Sequence, residues 1–442
     1  MFKIFFIIIF ILFSKVIFAE ISLTIDDLEI PKFNILFQGC DNEGDKESQL
    51  IIKKIQKNLN NTNLFNIKNS EKEEIYKIKD EVSNEEIILY SRYSEDGIDV
   101  LLHCMQSLDV GVDSSHTRIN FKLWDILDEE EFLSQNNIYS NNSSKIANLI
   151  SDQIFKSIVR EKKGHFNSKI AYVSESGNIR DRKKKIATIN FDGTGLQYLT
   201  NGKNLALTPK FTNDPNKLMI LLYHNNTPSL FTINTELNTI QKLSSFNGTT
   251  MSASAHPTNP NLVIFSAINN DGNSDIYSVD QVTAINKRLT FSKSIEATAS
   301  FSPDGKDIIF TSDRSGSQEI YQMDINGRNV KKISNNKGDY SKPVWSPDGS
   351  LIAFTKIIKG KFVIGVMTSD GYNERILTSG YVAEGVSWSP NSRYLIYSKK
   401  NGPFGEKSIP KLYVIDVVTG YEKKFPTPAN EGATDPDWIG LD

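Results

Sequence analysis

Cysteine and histidine are scarce here, two and five in 442 residues, with no CxxC and no HxxxH pair. That scarcity excludes a thiolate zinc centre and the two-histidine helix of a zinc protease. No Gly-x-Ser-x-Gly elbow occurs, so a serine hydrolase of that type would have no nucleophile. An excess of positive charge is also missing: 50 basic against 53 acidic residues give a net charge of −3. A general nucleic-acid binder would show a basic surplus and basic clusters. The one basic run, "RDRKKK" from Arg180 to Lys185, reads as a solvated turn.

Long apolar runs are confined to the beginning of the chain. "MFKIFFIIIFILFSKVIFA" carries Lys3, an apolar stretch from Ile4 to Phe13 and a small residue at Ala19. The stretch is shorter than the roughly 20 residues a spanning helix needs, and Lys15 separates it from the next apolar residues. Residues 1–19 therefore read as a secretory signal peptide cut after Ala19, leaving no transmembrane segment. Export would place Cys40 and Cys104 where disulfides form. Both end strand-like runs, and a bridge and two buried thiols are each compatible with that.

What is present falls into two textures. Residues 33–164 show no repeat and read as a small α/β domain without a glycine-rich phosphate loop. "FNILF" is a strand, and Leu50, Ile51, Ile55 and Leu59 predict a helix starting near Ser48. "EIILYSRYSEDGIDVLLHCM" predicts a hairpin turning at Glu95-Asp96-Gly97. "TRINFKLWDIL" is a further strand, and "SQNNIYSNNSS" reads as a loop. Ile146, Leu149, Ile150, Ile154 and Ile158 mark a second helix over Lys145 to Val159.

Residues 169–442 repeat. "FSPDGKDIIFTSDRSGSQEIYQMDING" from Phe301 is echoed by "WSPDGSLIAFTKIIKGKFVIGVMTSDG" from Trp345. The position before the turn recurs as Phe211, Ala255, Phe301, Trp345, Trp388 and Trp438, at steps of 44, 46, 44, 43 and 50. An independent anchor, the first residue of the "IY" pair, recurs as Ile186, Leu230, Ile276, Ile320, Ile364 and Leu412, at steps of 44, 46, 44, 44 and 48. Each unit spells four short strands separated by turns, the signature of a β-propeller with six blades. The first unit lacks a first strand, and "GATDPDWIG" at the C-terminus supplies one and nothing after it. The C-terminal strand is thus expected to close the ring, which removes two aggregation-prone edges. "SPDG" is then mostly architecture, with Asp304 and Asp348 as turn formers. Glu296, Asp339, Glu384 and Glu431 precede or begin first strands and could ring one mouth of the channel, more simply as a solvated rim than as a cation site.

A signal-like start, a small α/β domain, and six blades bearing "PVWSPDGSLIAF" and a closing "PDW" resemble the TolB family of the bacterial Tol–Pal system. The resemblance covers essentially the whole chain after residue 19. It implies a non-enzymatic periplasmic scaffold, a monomer without cofactor or metal, that supports outer-membrane integrity and constriction at division. Its implied partners are TolA and the Pal lipoprotein, with other outer-membrane proteins as further candidates and no nucleic acid. In the family the extreme N-terminal segment binds TolA; here that is residues 20–32. Ile21, Leu23 and Ile25 alternate with Ser22 and Thr24, the pattern of a strand able to add to a partner's sheet edge. The same alternation also suits an edge strand of the chain's own α/β domain.

The family docks Pal at one mouth of the propeller, through residues leading into the first strands. Carried over, these are Thr250, Ala253, Glu296, Ala297, Thr298, Tyr340 and Lys342. Thr250 stands where the family places a histidine, Ala253 matches a small alanine, and Ala297 replaces a threonine with Thr298 beside it. Tyr340 is of a type enriched at binding hot spots, and Glu296 and Lys342 would be rim charges. The rival reading is a periplasmic propeller hydrolase or lactonase that uses acids at the channel mouth.

Overall fold

The computed structural model describes residues 31–39, 46–70, 75–79, 86–106, 117–140, 142–178, 181–224, 227–243, 246, 248–269, 272–336, 338–402 and 409–441. The signal-like residues 1–19, the segment 20–30 that holds Ile21 to Ile25, and Cys40 lie outside them.

The N-terminal part starts with β1 (Phe33–Gln38), α1 (Lys46–Asn60) and β2 (Phe65–Ser70). β1 and β2 pair in parallel, as a strand–helix–strand crossover dictates. Ile51, Ile52, Ile55 and Leu59 form the buried face of α1, whereas Leu50 is exposed. Ile51, Ile55 and Leu59 of the expected stripe are thus buried, and Ile52 takes the place of Leu50.

The expected hairpin is not formed. β3 (Lys77–Lys79) pairs with β4 (Glu86–Ile88), and α2 (Tyr90–Glu95) comes next. β5 (Val100–Gln106) then joins the main sheet, parallel to β1. The helical turn sends Tyr93 into an apolar cluster with Ile98, Leu101 and Trp124, where its hydroxyl donates to Gln38 Oε1 at 2.9 Å. That burial outweighs the short alternating pattern. β6 (Thr117–Asp125) and β7 (Glu130–Ser140) complete a sheet of order β2-β1-β5-β6-β7. β7 occupies much of the expected loop: backbone pairing with β6, such as Ile138 to Ile119, suits a polar sequence on an edge strand. α3 (Ser143–Val159) is capped by Asn142, whose Oδ1 accepts from the Ser144 and Lys145 amides. Cys104 on β5 is disulfide-bonded, and the only other cysteine of the chain is Cys40.

The rest of the described chain forms six four-stranded sheets around a common axis. Blade one contains Ser168–Ser176, Lys183–Asn190, Gln197–Tyr198 and the C-terminal strand Gly432–Gly440. That last strand pairs antiparallel with Ser168–Ser176, with Trp438 opposite Ile170. Blades two to six begin with Ala206–Phe211, Thr249–Ala255, Glu296–Phe301, Asp339–Trp345 and Val382–Trp388. A lone blade would leave both apolar faces wet, and here each junction between blades carries its own buried cluster. At the junction of blades six and one, Tyr394, Ile396, Ile170 and Tyr172 share one cluster with α1 and α3. The α/β part is therefore docked on the propeller through a continuous core.

The "SPDG" turns are structural. Ser302 Oγ donates to Asp304 at 2.7 Å and accepts from the Asp307 amide, and Ser346 with Asp348 repeats this. In blade three His256 replaces the serine: Nδ1 accepts from the Thr258 and Asn259 amides, so Nε2–H donates to the Gly305 carbonyl at 3.1 Å. Gly305 has φ +74°, and a Cβ there would stand 2.2 Å from the imidazole, so only glycine fits.

His165 joins the two parts. It is buried among Phe155, Phe166, Phe191 and Tyr394, and Asp152 on α3 accepts the amides of His165, Phe166 and Asn167. Burial, with Arg393 adding to it, lowers the imidazole to about 3. The folded protein thus holds His165 neutral while the unfolded chain protonates it near pH 6.5. The unfolded state then binds more protons below that pH, so stability is lost as pH falls. We expect a loss of about 2 kcal/mol between neutral pH and pH 5, above the carboxylate range. His165→Phe should flatten that part of the stability-versus-pH curve in urea titrations. An unchanged curve would remove His165 as its cause.

Candidate functional site

The inner strands of the propeller line a channel with a cavity of about 250 Å³. Their shared irregularity builds it. In every inner strand the register with its neighbour slips ahead of the anchor residue, a β-bulge; in five strands the slip ends one residue before the anchor, and in blade three it falls earlier, between Thr250 and Ser252. In five strands the residue three before the anchor is left-handed: Thr208, Thr298, Lys342, Gly385 and Asp435 have φ of 48°, 52°, 49°, 71° and 48°. For the four that are not glycine this conformation costs on the order of 1–2 kcal/mol each, and it turns their backbone toward the axis. Such strain concentrates at binding and catalytic sites.

Charges converge at the same level. Lys342 lies 3.2 Å from Glu384 and 3.3 Å from Asp435, linking the inner strands of blades five, six and one. Burial opposes its charge, but the Asp435 and Glu384 carboxylates outweigh that and hold the ammonium above its ordinary value. Asp437 accepts from Lys210 Nζ at 2.8 Å, the Phe211 amide at 2.8 Å and Ser387 Oγ at 3.1 Å. One carboxylate on blade one thereby ties blades two and six together.

Ala253, Thr298 and Lys342 line the cavity together, and Ala297 adjoins Thr298. Three other expected rim residues need correction. Thr250, Glu296 and Tyr340 stand five residues before their anchors and are 3%, 0% and 0% exposed. Their counterparts Ala206, Ala383 and Ala433 are all fully buried as well. This row points between blades, so none of it offers side-chain surface to a partner. Glu296 is paired with Arg314, and Tyr340 donates its hydroxyl to Glu374. Burial and then that hydrogen bond push the Tyr340 hydroxyl far up. Glu296 is therefore no rim charge, and Tyr340 is a packing residue.

The acids do not form a cation ring either. Glu296 is buried, Glu384 is bound to Lys342, and Glu431 accepts from Ser174 and Tyr198. Among the described residues no group of three or more His, Cys, Asp or Glu could hold a metal ion. Reading the sequence missed Thr208, Lys210, Asp435 and Asp437. The anchor alignment already held the signal, because the third residue before each anchor includes Thr208, Thr298, Lys342 and Asp435.

With this geometry in place, comparison with known proteins is decisive. The family model described as the TolB beta propeller domain matches residues 156–441. The chain belongs to the TolB family. It is 34% identical over 451 residues to the Tol-Pal system protein TolB of Orientia tsutsugamushi (strain Ikeda), covering 99% of this chain and 96% of the relative. A second relative of the same name, from Gluconobacter oxydans (strain 621H), is 35% identical over 331 residues, covering 74% of this chain and 72% of the relative. The crystal structure of TolB from Acinetobacter baumannii superposes with a TM-score of 0.77 at 22% identity, covering 92% of this chain and 97% of that one, which shows the shared fold. Membership makes the chain a non-enzymatic TolB-type protein and sets aside the hydrolase or lactonase reading.

Proposed function

We propose that this chain is a periplasmic scaffold of the Tol–Pal system that holds Pal at the mouth of its propeller channel and TolA on its N-terminal segment. In this reading residues 1–19 are removed on export, residues 20–32 engage TolA, 33–164 form the α/β domain, and 169–442 form the propeller. The observation that carries it is the channel cavity, walled by strained bulges and lined by Ala253, Thr298 and Lys342. Strained, concave and partly charged surface of this kind suits the insertion of a partner's loop. Pro31 and Lys32, the described residues that lead into β1, are both exposed.

Two changes should separate the sites. Ala253→Arg fills the cavity and should weaken Pal binding by about 2 kcal/mol or more, roughly thirtyfold, with TolA binding unchanged. Deleting residues 20–27 should abolish TolA binding and spare Pal. Lys342→Gln should chiefly alter the on-rate for Pal and its salt dependence. Surface plasmon resonance with both partners reads all three. A folded Ala253→Arg protein that still binds Pal at full affinity would place the Pal site elsewhere.

A further inference from the structure

A second cavity, of about 170 Å³, opens where α1 meets blades one and six, away from the channel. Its floor is aromatic: Phe166, Phe191 and Tyr394 pack against the neutral His165, and Phe425 packs on Phe191. Lys57 from α1 and Lys423 and Lys424 from the outer strand of blade six stand at its edge, all three exposed. No acidic side chain pairs with any of these lysines among the described residues. Lys423 donates to the neutral Asn61. Burial, and then repulsion from Lys57, hold the Lys423 ammonium below its ordinary value. The one acid in the lining, Asp192, accepts the Thr194 amide and hydroxyl on its Oδ1, so one carboxylate stands against three lysines.

An excess of like charge across a domain junction costs stability that a bound anion relieves. An aromatic floor beneath them selects a flat apolar body. We infer that this cavity between the α/β part and blades one and six binds a small aryl carboxylate, its ring on the floor and its anionic group between Lys57 and Lys423. The sign of the charge excludes the quaternary ammonium that an aromatic cage alone would suit. The ligand touches both halves of the molecule, so binding it also braces the junction.

Three probes on one indole scaffold test this on the intact protein: indole-3-acetate, its neutral isostere indole-3-acetamide and cationic tryptamine, followed by calorimetry and saturation-transfer NMR. The acetate should bind, the amide about tenfold more weakly, and the amine more weakly still. The double change Lys57→Met and Lys423→Met, at exposed positions, should bring acetate affinity down to that of the amide and leave the amide unchanged. Lys342→Gln in the channel should change neither. No acetate binding up to about 10 mM would overturn the inference. So would equal binding of the three probes, or sensitivity to Lys342→Gln rather than to the double change. None of these results depends on whether Pal or TolA binds.

Discussion

Removing residues 431–442 should leave the protein insoluble. The deleted strand, Gly432–Gly440, supplies the inner edge of blade one and buries Ala433 and Trp438. Trp438 stacks on Phe191 at 4.8 Å, and its Nε1 donates to Ser168 Oγ at 2.7 Å. Beyond it, Leu441 and Asn167 are clasped by two reciprocal hydrogen bonds of 3.0 and 3.1 Å. Without the strand, Ile170, Tyr172 and Val173 form a bare apolar edge, and the junctions of blade one with blades two and six both open. Unpaired apolar edges recruit one another between molecules. Gel filtration and circular dichroism of the truncated chain provide the measurement. A soluble monomer with an unchanged spectrum and melting temperature would show that the ring does not need this closure.

A single carboxylate should matter almost as much. Asp437→Ala removes the acceptor for the Phe211 amide, Lys210 and Ser387 at once, in a position only 14% exposed. Leaving a partly buried amide and ammonium without partners should cost about 3 kcal/mol. Asp437→Asn keeps oxygen for the amide but loses the charge, and should cost about half as much. Asp435→Ala is the control on the same strand: it loses one of the two Lys342 partners and should cost under about 1 kcal/mol, because Glu384 remains. Thermal melts of the three variants decide the ranking. Equal melting temperatures for Asp437→Ala and Asp435→Ala would mean that the three-blade link carries no special weight.

How far each feature could be read without coordinates depended on whether its physics is periodic. Two independent anchors at near-constant spacing specified the number of blades, because a four-stranded sheet with two apolar faces must be stacked to be dry. The family likeness also lay in the motif wording and the order of domains. Short, non-repeating signals were less dependable. "EIILYSRYS" alternates like a strand, yet a buried Tyr93 turns part of it into α2. Leu50 fits a helical stripe yet faces solvent beside buried Ile51 and Ile52.

The channel shows most sharply where the division falls. The repeat alone was enough to put the first strands beside the axis and to assign Ala253, Thr298 and Lys342 to them. Which residues face the channel was settled by packing in three dimensions. Strand alternation assigns sides relative to a strand's own pleat, and the bulge before each anchor resets that phase. Thr250, Glu296 and Tyr340 thereby turn between blades, while Thr298 and Lys342 turn inward. The aromatic, lysine-edged cavity was equally hidden: Lys57 and Lys423 are 366 residues apart, and only the docking of α1 on blade six brings them together.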